Sequence, residues 1–174
     1  GITEGVAPHP IRFDWDQPWS EVQPEEIAAG AIAKWRAYVE SAQSENVVSV
    51  VDGQVFHGNL TSLFLLEASE EMMLAFCRDI CAALAPLDPL LIYFRQDDVD
   101  RAVRRIAAER GDQWVRYQVE WKLAAPYAVR RELRGLEGLV DLYRDYRTLT
   151  DRLFASVVMP KLSIETSRQD WAAY

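Results

Sequence analysis

Apolar residues recur every three or four positions over several segments of this chain, a spacing that predicts amphipathic helices. The clearest segment runs from Glu25 to about Ser41, after Pro24 at the head of the helix. A second begins after the N-cap residue Ser69 and continues to about Leu84. Further helical segments are predicted at 60–66, 99–110 and 112–158, with breaks in the last one at Pro126 and around Gly135 and Gly138.

Three short runs predict strands. The first, Asn46 to Val51, is rich in valine and ends at Asp52-Gly53, and the others are Leu90 to Phe94 and Lys161 to Thr166. The first two show no alternation of apolar and polar residues, which is typical of strands covered on both faces in a parallel sheet. Because strands alternate with helices, the pattern predicts an α/β fold with a mostly parallel sheet and a large helical C-terminal half.

Composition narrows the classes of partner. The 174 residues are enough for one domain with a full core, and 49% apolar with 26% charged residues is ordinary for a globular protein. A net charge of -8 argues against a nucleic-acid or anionic-membrane partner. Thirteen of the 19 basic residues nevertheless lie between Arg95 and Arg152, which leaves room for a local cationic cleft that binds phosphate.

The cysteines and the absence of a targeting segment bear on location. Cys77 and Cys81 lie four residues apart in a helical pattern, which favours buried thiols over a disulfide or a metal pair. No apolar run approaches the ~20 residues of a membrane span, and no signal peptide opens the sequence. We therefore predict a cytoplasmic protein.

Polar residues follow the predicted strand 46–51, where open α/β sheets bind their ligands. Asp52 could bind Mg²⁺ through water or act as a base, or it could simply begin an Asp-Gly bend. His57 could orient substrate or be a hydrogen-bonded residue of a glycine-rich turn. Asn59 could contact a ligand or cap the following helical turns.

Arginines follow the second predicted strand. Arg95 stands at its end, and Arg101, Arg104 and Arg105 lie on the outer face of the next helix, where a solvated surface is the plainer interpretation. Arg110 comes round to the inner face in the last turn before Gly111. A guanidinium aimed inward needs an anion, so Arg110 could stabilise a transferring phosphoryl group or form a salt bridge.

Read in order, these landmarks resemble the P-loop kinases, the group that includes thymidylate kinases and deoxynucleoside kinases. The resemblance covers nearly the whole chain, although each motif is short. It lies in these segments: Val50-Val51-Asp52-Gly53, Leu90 to Phe94, Arg104-Arg105-Ile106 with Glu109-Arg110-Gly111, Ile164-Glu165-Thr166-Ser167, and Glu4-Gly5 with Pro8-His9-Pro10.

The resemblance implies a three-layer αβα domain over 1–174, with a lid-like helical region at 95–158. It also implies roles for individual residues. Asp52 and Arg110 would be catalytic, with Asp52 at the metal; Glu4, His9, His57, Asn59 and Arg95 would bind substrate; Arg101, Arg105, Thr166 and Ser167 would bind the nucleotide.

Two features depart from the family pattern. Gly53 stands where the family has an arginine after the acid, and no Gly-x-x-x-x-Gly-Lys-Ser/Thr phosphate loop occurs in the sequence. By family order that loop would precede Gly1, together with a strand, a helix and a second strand. We therefore expect the chain to lack the N-terminal part of the domain and to be inactive by itself.

Two hypotheses of function follow. The first is an ATP-dependent, Mg²⁺-requiring phosphotransferase that passes the γ-phosphoryl group to a small hydroxyl or phosphate acceptor. Its partners would be a nucleotide and that small-molecule acceptor. The alternative is a non-catalytic, kinase-like binding or regulatory module. That module would use the aromatic helical region from Trp114 to Phe154 to bind a partner or a second copy in a homodimer.

Overall fold

The computed structural model describes residue 19 and the ranges 22–44, 48–53 and 55–169. These residues are mostly helical, with one small parallel sheet of two strands. The chain divides into two compact units, one formed by 1–89 with 157–159 and the other by 90–156 with 160–174.

The first unit contains three helices. They are α1 (Pro24–Ala42), α2 (Gly58–Leu65) and α3 (Glu70–Leu84), and a short 3-10 turn at Ala85–Leu87 follows. Helix α1 buries a stripe of apolar residues at helical spacing, as the sequence predicted, and α1 packs against both α2 and α3. Helix α2 is buried on every side from its second residue to its last, which is typical of a helix inside a core.

Helix α3 begins where the sequence placed it. The Ser69 hydroxyl accepts a hydrogen bond from the Met72 amide at 3.1 Å, so the predicted N-cap is confirmed. The inner face of the helix carries Cys77 and Cys81, both buried free thiols. Burial raises the pKa of Cys77 to about 12, which keeps this sulfur protonated and unreactive.

The predicted strand at 46–51 is wrong for the residues that the structure describes. Val48 makes only an isolated bridge, and residues 49–53 have no strand geometry. Val48 and Val50 are 71% and 70% exposed, so they do not form the buried central strand that their β-branched side chains indicated. Gly53 then has φ 66°, a left-handed conformation that turns the chain toward α2.

The second unit contains both strands, and each was predicted. Strand β1 (Leu91–Arg95) pairs in parallel with β2 (Lys161–Glu165), and Tyr93 lies opposite Ser163 in the register. Between the strands the chain forms α4 (Val99–Lys122), α5 (Pro126–Arg130) and α6 (Gly135–Ser156). This crossover explains how two strands so distant in sequence run in the same direction.

Helices α4 and α6 pack together through a cluster of Val103, Leu139 and Val140. Helix α6 begins at Gly135, one of the predicted breaks, whereas Gly138 lies inside the helix and is buried. A β-carbon at Gly138 would lie 2.8 Å from the Leu133 carbonyl carbon, so glycine is needed here for close packing. The sequence showed this glycine but not its reason.

Candidate functional site

The carboxyl ends of β1 and β2 bring together several of the predicted site residues. Arg95 and Glu165 are register partners at the last position of each strand. The amide and the hydroxyl of Thr166 both donate to the Arg95 carbonyl, at 2.9 and 3.1 Å. These two hydrogen bonds tie the strand ends together, so Arg95 and Thr166 lie side by side.

The Glu165 carboxylate organises the loop that follows β2. Its Oε1 accepts hydrogen bonds from the Ser167 hydroxyl and amide, the latter at 2.9 Å, and from the Asp97 amide at 3.4 Å. The Ser167 hydroxyl and then its amide lower the pKa of Glu165, because both donate to the charged form. The polar hydrogens of Ser167 are therefore already used within the loop.

Arg147 of α6 lies beside this loop and was not predicted. Its guanidinium donates to the Gln96 carbonyl at 2.7 Å and to Asp151 at 2.9 Å, and it lies 3.7 Å from Asp97. Its side chain is only 18% exposed. The one sequence signal was the four-residue spacing of Arg147 and Asp151, which is typical of a helix pair.

Tyr93, the middle residue of β1, connects the sheet to α6. Its hydroxyl lies 2.9 Å from the Thr150 hydroxyl and donates to Asp151 at 3.2 Å, and its ring packs on Phe154 at 5.1 Å. Burial raises the pKa of Tyr93, so it remains a neutral hydrogen-bond donor. We call Arg95, Asp97, Arg147, Glu165 and Ser167 the strand-end cluster.

Two arginines of α4, Arg101 and Arg105, contact the loop that follows β1. Arg101 is exposed, and in the described part of the chain its guanidinium has no hydrogen-bond or ion-pair partner; its amide is capped by Asp98 at 2.9 Å. Arg105 donates to the Gln96 side chain at 3.3 Å and lies 4.0 Å from Glu109. Arg101 is therefore one of the exposed arginines that are available to an anionic ligand.

The inward orientation predicted for Arg110 is wrong. Arg110 is exposed, and the buried positions in this part of α4 are Val103 and Ala107. Gly111, with φ 79° and ψ 177°, interrupts the helix directly after it. The buried face of this part of α4 therefore ends at Ala107, before Arg110.

Asp52, His57 and Asn59 lie in the first unit. The Gly58 amide donates to the Gly53 carbonyl at 3.1 Å, which closes a tight loop and brings the His57 side chain beside Gly53, the neighbour of Asp52. Asp52 and His57 are exposed. Asn59 does not cap α2, because it is the buried second residue of that helix.

The remaining predictions concern the N-terminal loop, metals and membranes. Glu4 and His9 lie outside the described residues. Within the described ranges, no group of three or more His, Cys, Asp or Glu side chains is arranged to bind a metal ion. In the same ranges, every helix is too short or too polar to cross a bilayer.

Comparison with family models, curated proteins and solved structures found no match to this chain.

Proposed function

We propose that this chain is the nucleotide-binding body of an ATP-dependent phosphotransferase of the small-molecule kinase type, which transfers the γ-phosphoryl group to a small hydroxyl or phosphate acceptor. The supporting observation is the parallel pairing of β1 and β2, with Arg95, Thr166 and Ser167 gathered at their carboxyl ends. Ligands of open α/β sheets bind at that edge. A fold is shared by many functions, so the charges around the edge carry the rest of the proposal.

The carboxylates near the strand ends already have ion-pair or hydrogen-bond partners. Asp97 is paired with Arg95, and Asp100 is paired with Arg104 at 2.8 Å. Asp98 accepts the amide of Arg101 as the N-cap of α4. Arg101 is thus left to bind phosphate oxygens, which a guanidinium does with two parallel charged hydrogen bonds.

The loop at Thr166 and Ser167 would lie against the adenine ring. Both hydroxyls are bound within the cluster, to the Arg95 carbonyl and to Glu165. The base would therefore be contacted through main-chain atoms rather than through these hydroxyls. Substitution of Ser167 by alanine should consequently change the loop more than it changes any direct contact with the ligand.

Asp52 and His57 belong to the first unit, so the nucleotide-binding proposal for the second unit assigns them no role. Within the described residues no group of three or more His, Cys, Asp or Glu side chains is arranged to bind a metal ion, so any Mg²⁺ would be held largely by the phosphates of the nucleotide and by water. Protein sites for Mg²⁺ combine one or two carboxylates with substrate phosphates and water. No step of the proposed reaction is therefore assigned to the metal.

ATP binding tests the proposal. Thermal unfolding of the chain is measured with and without millimolar ATP, since a ligand that binds only the folded state raises the unfolding temperature. We expect ATP to raise it, and Arg101→Ala to reduce that rise. Arg36→Ala, which removes an exposed arginine of α1, is the matched control. Absence of stabilisation at saturating nucleotide would contradict a nucleotide-binding body.

The binding-module alternative is supported by one exposed ring. Tyr127 and Tyr146 of the aromatic helical region are buried, but Tyr117 on α4 is 46% exposed. Exposed tyrosine is common in protein interfaces. If the chain self-associates through this region, its measured mass in light scattering rises with concentration, and Tyr117→Ala returns it to the monomer mass.

A further inference from the structure

The second half of α4 contains a single fully buried residue. Gly111 interrupts the helix, and the structure describes every residue from there to the end at Lys122. Within that segment the only buried residue is Lys122 itself, with 3% of its surface exposed. It is unusual that this buried residue is a lysine, because lysine is almost never fully buried unless its charge is paired.

The Lys122 amine lies among aromatic rings without a charged partner. Its Nζ is 4.5 Å from the ring centre of Trp121 and 5.6 Å from that of Tyr143 on α6. In the part of the chain that the structure describes, the amine has neither a hydrogen-bond acceptor nor a carboxylate. Burial raises the pKa of Tyr143 to about 12, so the facing ring is neutral too.

These surroundings favour the neutral form of the amine. The rings attract an ammonium ion, but the lost hydration is only partly replaced. Burial accordingly lowers the pKa of Lys122 to about 8. A lysine that is desolvated in an apolar environment is the usual form of an amine nucleophile in proteins.

We propose that Lys122 is an amine nucleophile that forms an imine with small aromatic aldehydes. The Nζ lone pair adds to the carbonyl carbon, and the carbonyl oxygen leaves as water after it takes up two protons from nitrogen. The product is a neutral imine, which suits the apolar surroundings better than an ammonium ion does. An aromatic aldehyde is chosen because the surroundings of the amine are themselves aromatic, through Trp121 and Tyr143.

The chain contains its own reference amines. Its two other lysines are Lys34, an exposed residue of α1, and Lys161. Lys161 Nζ donates to the carbonyls of Phe154 and Ala155 at 2.7 and 2.9 Å. Lys34 therefore reports the reactivity of a solvated amine, against which Lys122 can be compared in the same sample.

The test labels the folded chain with benzaldehyde and cyanoborohydride at pH 7.5. The imine nitrogen takes up a proton from water and hydride from the reductant adds to the imine carbon, which gives a stable benzylamine that is quantified at each lysine by mass spectrometry. We expect several-fold more label on Lys122 than on Lys34 in the folded chain, and equal labelling in denaturant. Labelling of Lys122 equal to or below that of Lys34 in the folded chain would overturn the proposal. A Lys122 that is inaccessible, or that reacts only after α4 opens, gives that result.

Two variants test the role of the rings. Tyr143→Phe keeps the ring and should keep the preference for Lys122. Tyr143→Leu removes the ring and should bring the labelling of Lys122 closer to that of Lys34. If the leucine variant does not fold, the ratio of labelling at Lys122 to labelling at Lys34 in the unchanged protein still tests the proposal.

Discussion

Replacing Lys122 with methionine should stabilise the protein. Methionine preserves the apolar stem and most of the volume but removes the buried charge. A pKa lowered from 10.5 to about 8 corresponds to about 3 kcal/mol against the ammonium form in the folded state. Contacts of the ammonium with the faces of Trp121 and Tyr143 offset about 1–2 kcal/mol of this cost. We therefore expect Lys122→Met to raise the free energy of unfolding at pH 7 by about 1–2 kcal/mol.

The dependence of this gain on pH provides the sharper measurement. Below pH 8 the lysine is charged in both states, and the folded protein carries the full cost. Between about pH 8 and 10.5 the folded state loses the proton first, so the unchanged protein becomes more stable relative to the variant. Above that range the difference disappears. Urea unfolding of both proteins from pH 7 to 10.5, with Lys34→Met as control, measures this. A variant that is less stable at pH 7, or a difference that does not change with pH, would refute the reasoning.

Three further substitutions test the packing and capping described above, each by urea unfolding. Tyr93→Phe removes the hydrogen bonds of the buried hydroxyl, including that to Thr150, and should destabilise the protein by about 1–2 kcal/mol, whereas unchanged stability would show that water replaces them. Gly138→Ala should cost about 1–3 kcal/mol despite alanine's higher helix propensity, because the new carbon meets the backbone of Leu133; a stabilised variant would contradict this. Asp98→Ala should cost about 1 kcal/mol through loss of the α4 cap, and Asp98→Asn, which retains a capping oxygen, should cost less.

The sequence was a good guide where local chemistry decides the structure. The Ser69 cap, the stripe of α1 and the strands at 90–94 and 161–166 could be predicted because hydrophobic spacing and capping act over a few residues. It misled at 46–51, where a run of valines was interpreted as a central strand. Whether such a run is buried depends on what packs over it, and propensity for strands is set largely by that packing.

The candidate site was predictable only in part, for a similar reason. Residues next to strand ends, such as Arg95 and Thr166, could be placed from the order of elements alone. Arg147 and Tyr93 could not, because their roles depend on how α6 lies against the sheet. Arg110 was misplaced because nothing in the described part of the chain covers the helix surface at its position, and the last buried residue before Gly111 is Ala107. The sequence did not predict the burial of Lys122. That burial depends on Tyr143 of α6, which is distant in sequence, and on how the ring of the neighbouring Trp121 is placed.

The way the strand-end cluster is positioned determines how binding results should be interpreted. The ion pairs between α4 and α6, such as Arg104 with Glu137, lie on the surface and contribute little to stability. The two strands are held together by their parallel ladder with the added bonds of Thr166, and β1 is anchored to α6 by Tyr93. Arg101 takes part in neither of these. Loss of ATP stabilisation in Arg101→Ala without a change in the ligand-free unfolding temperature would thus identify a ligand contact, whereas a variant of Tyr93 should change both quantities together.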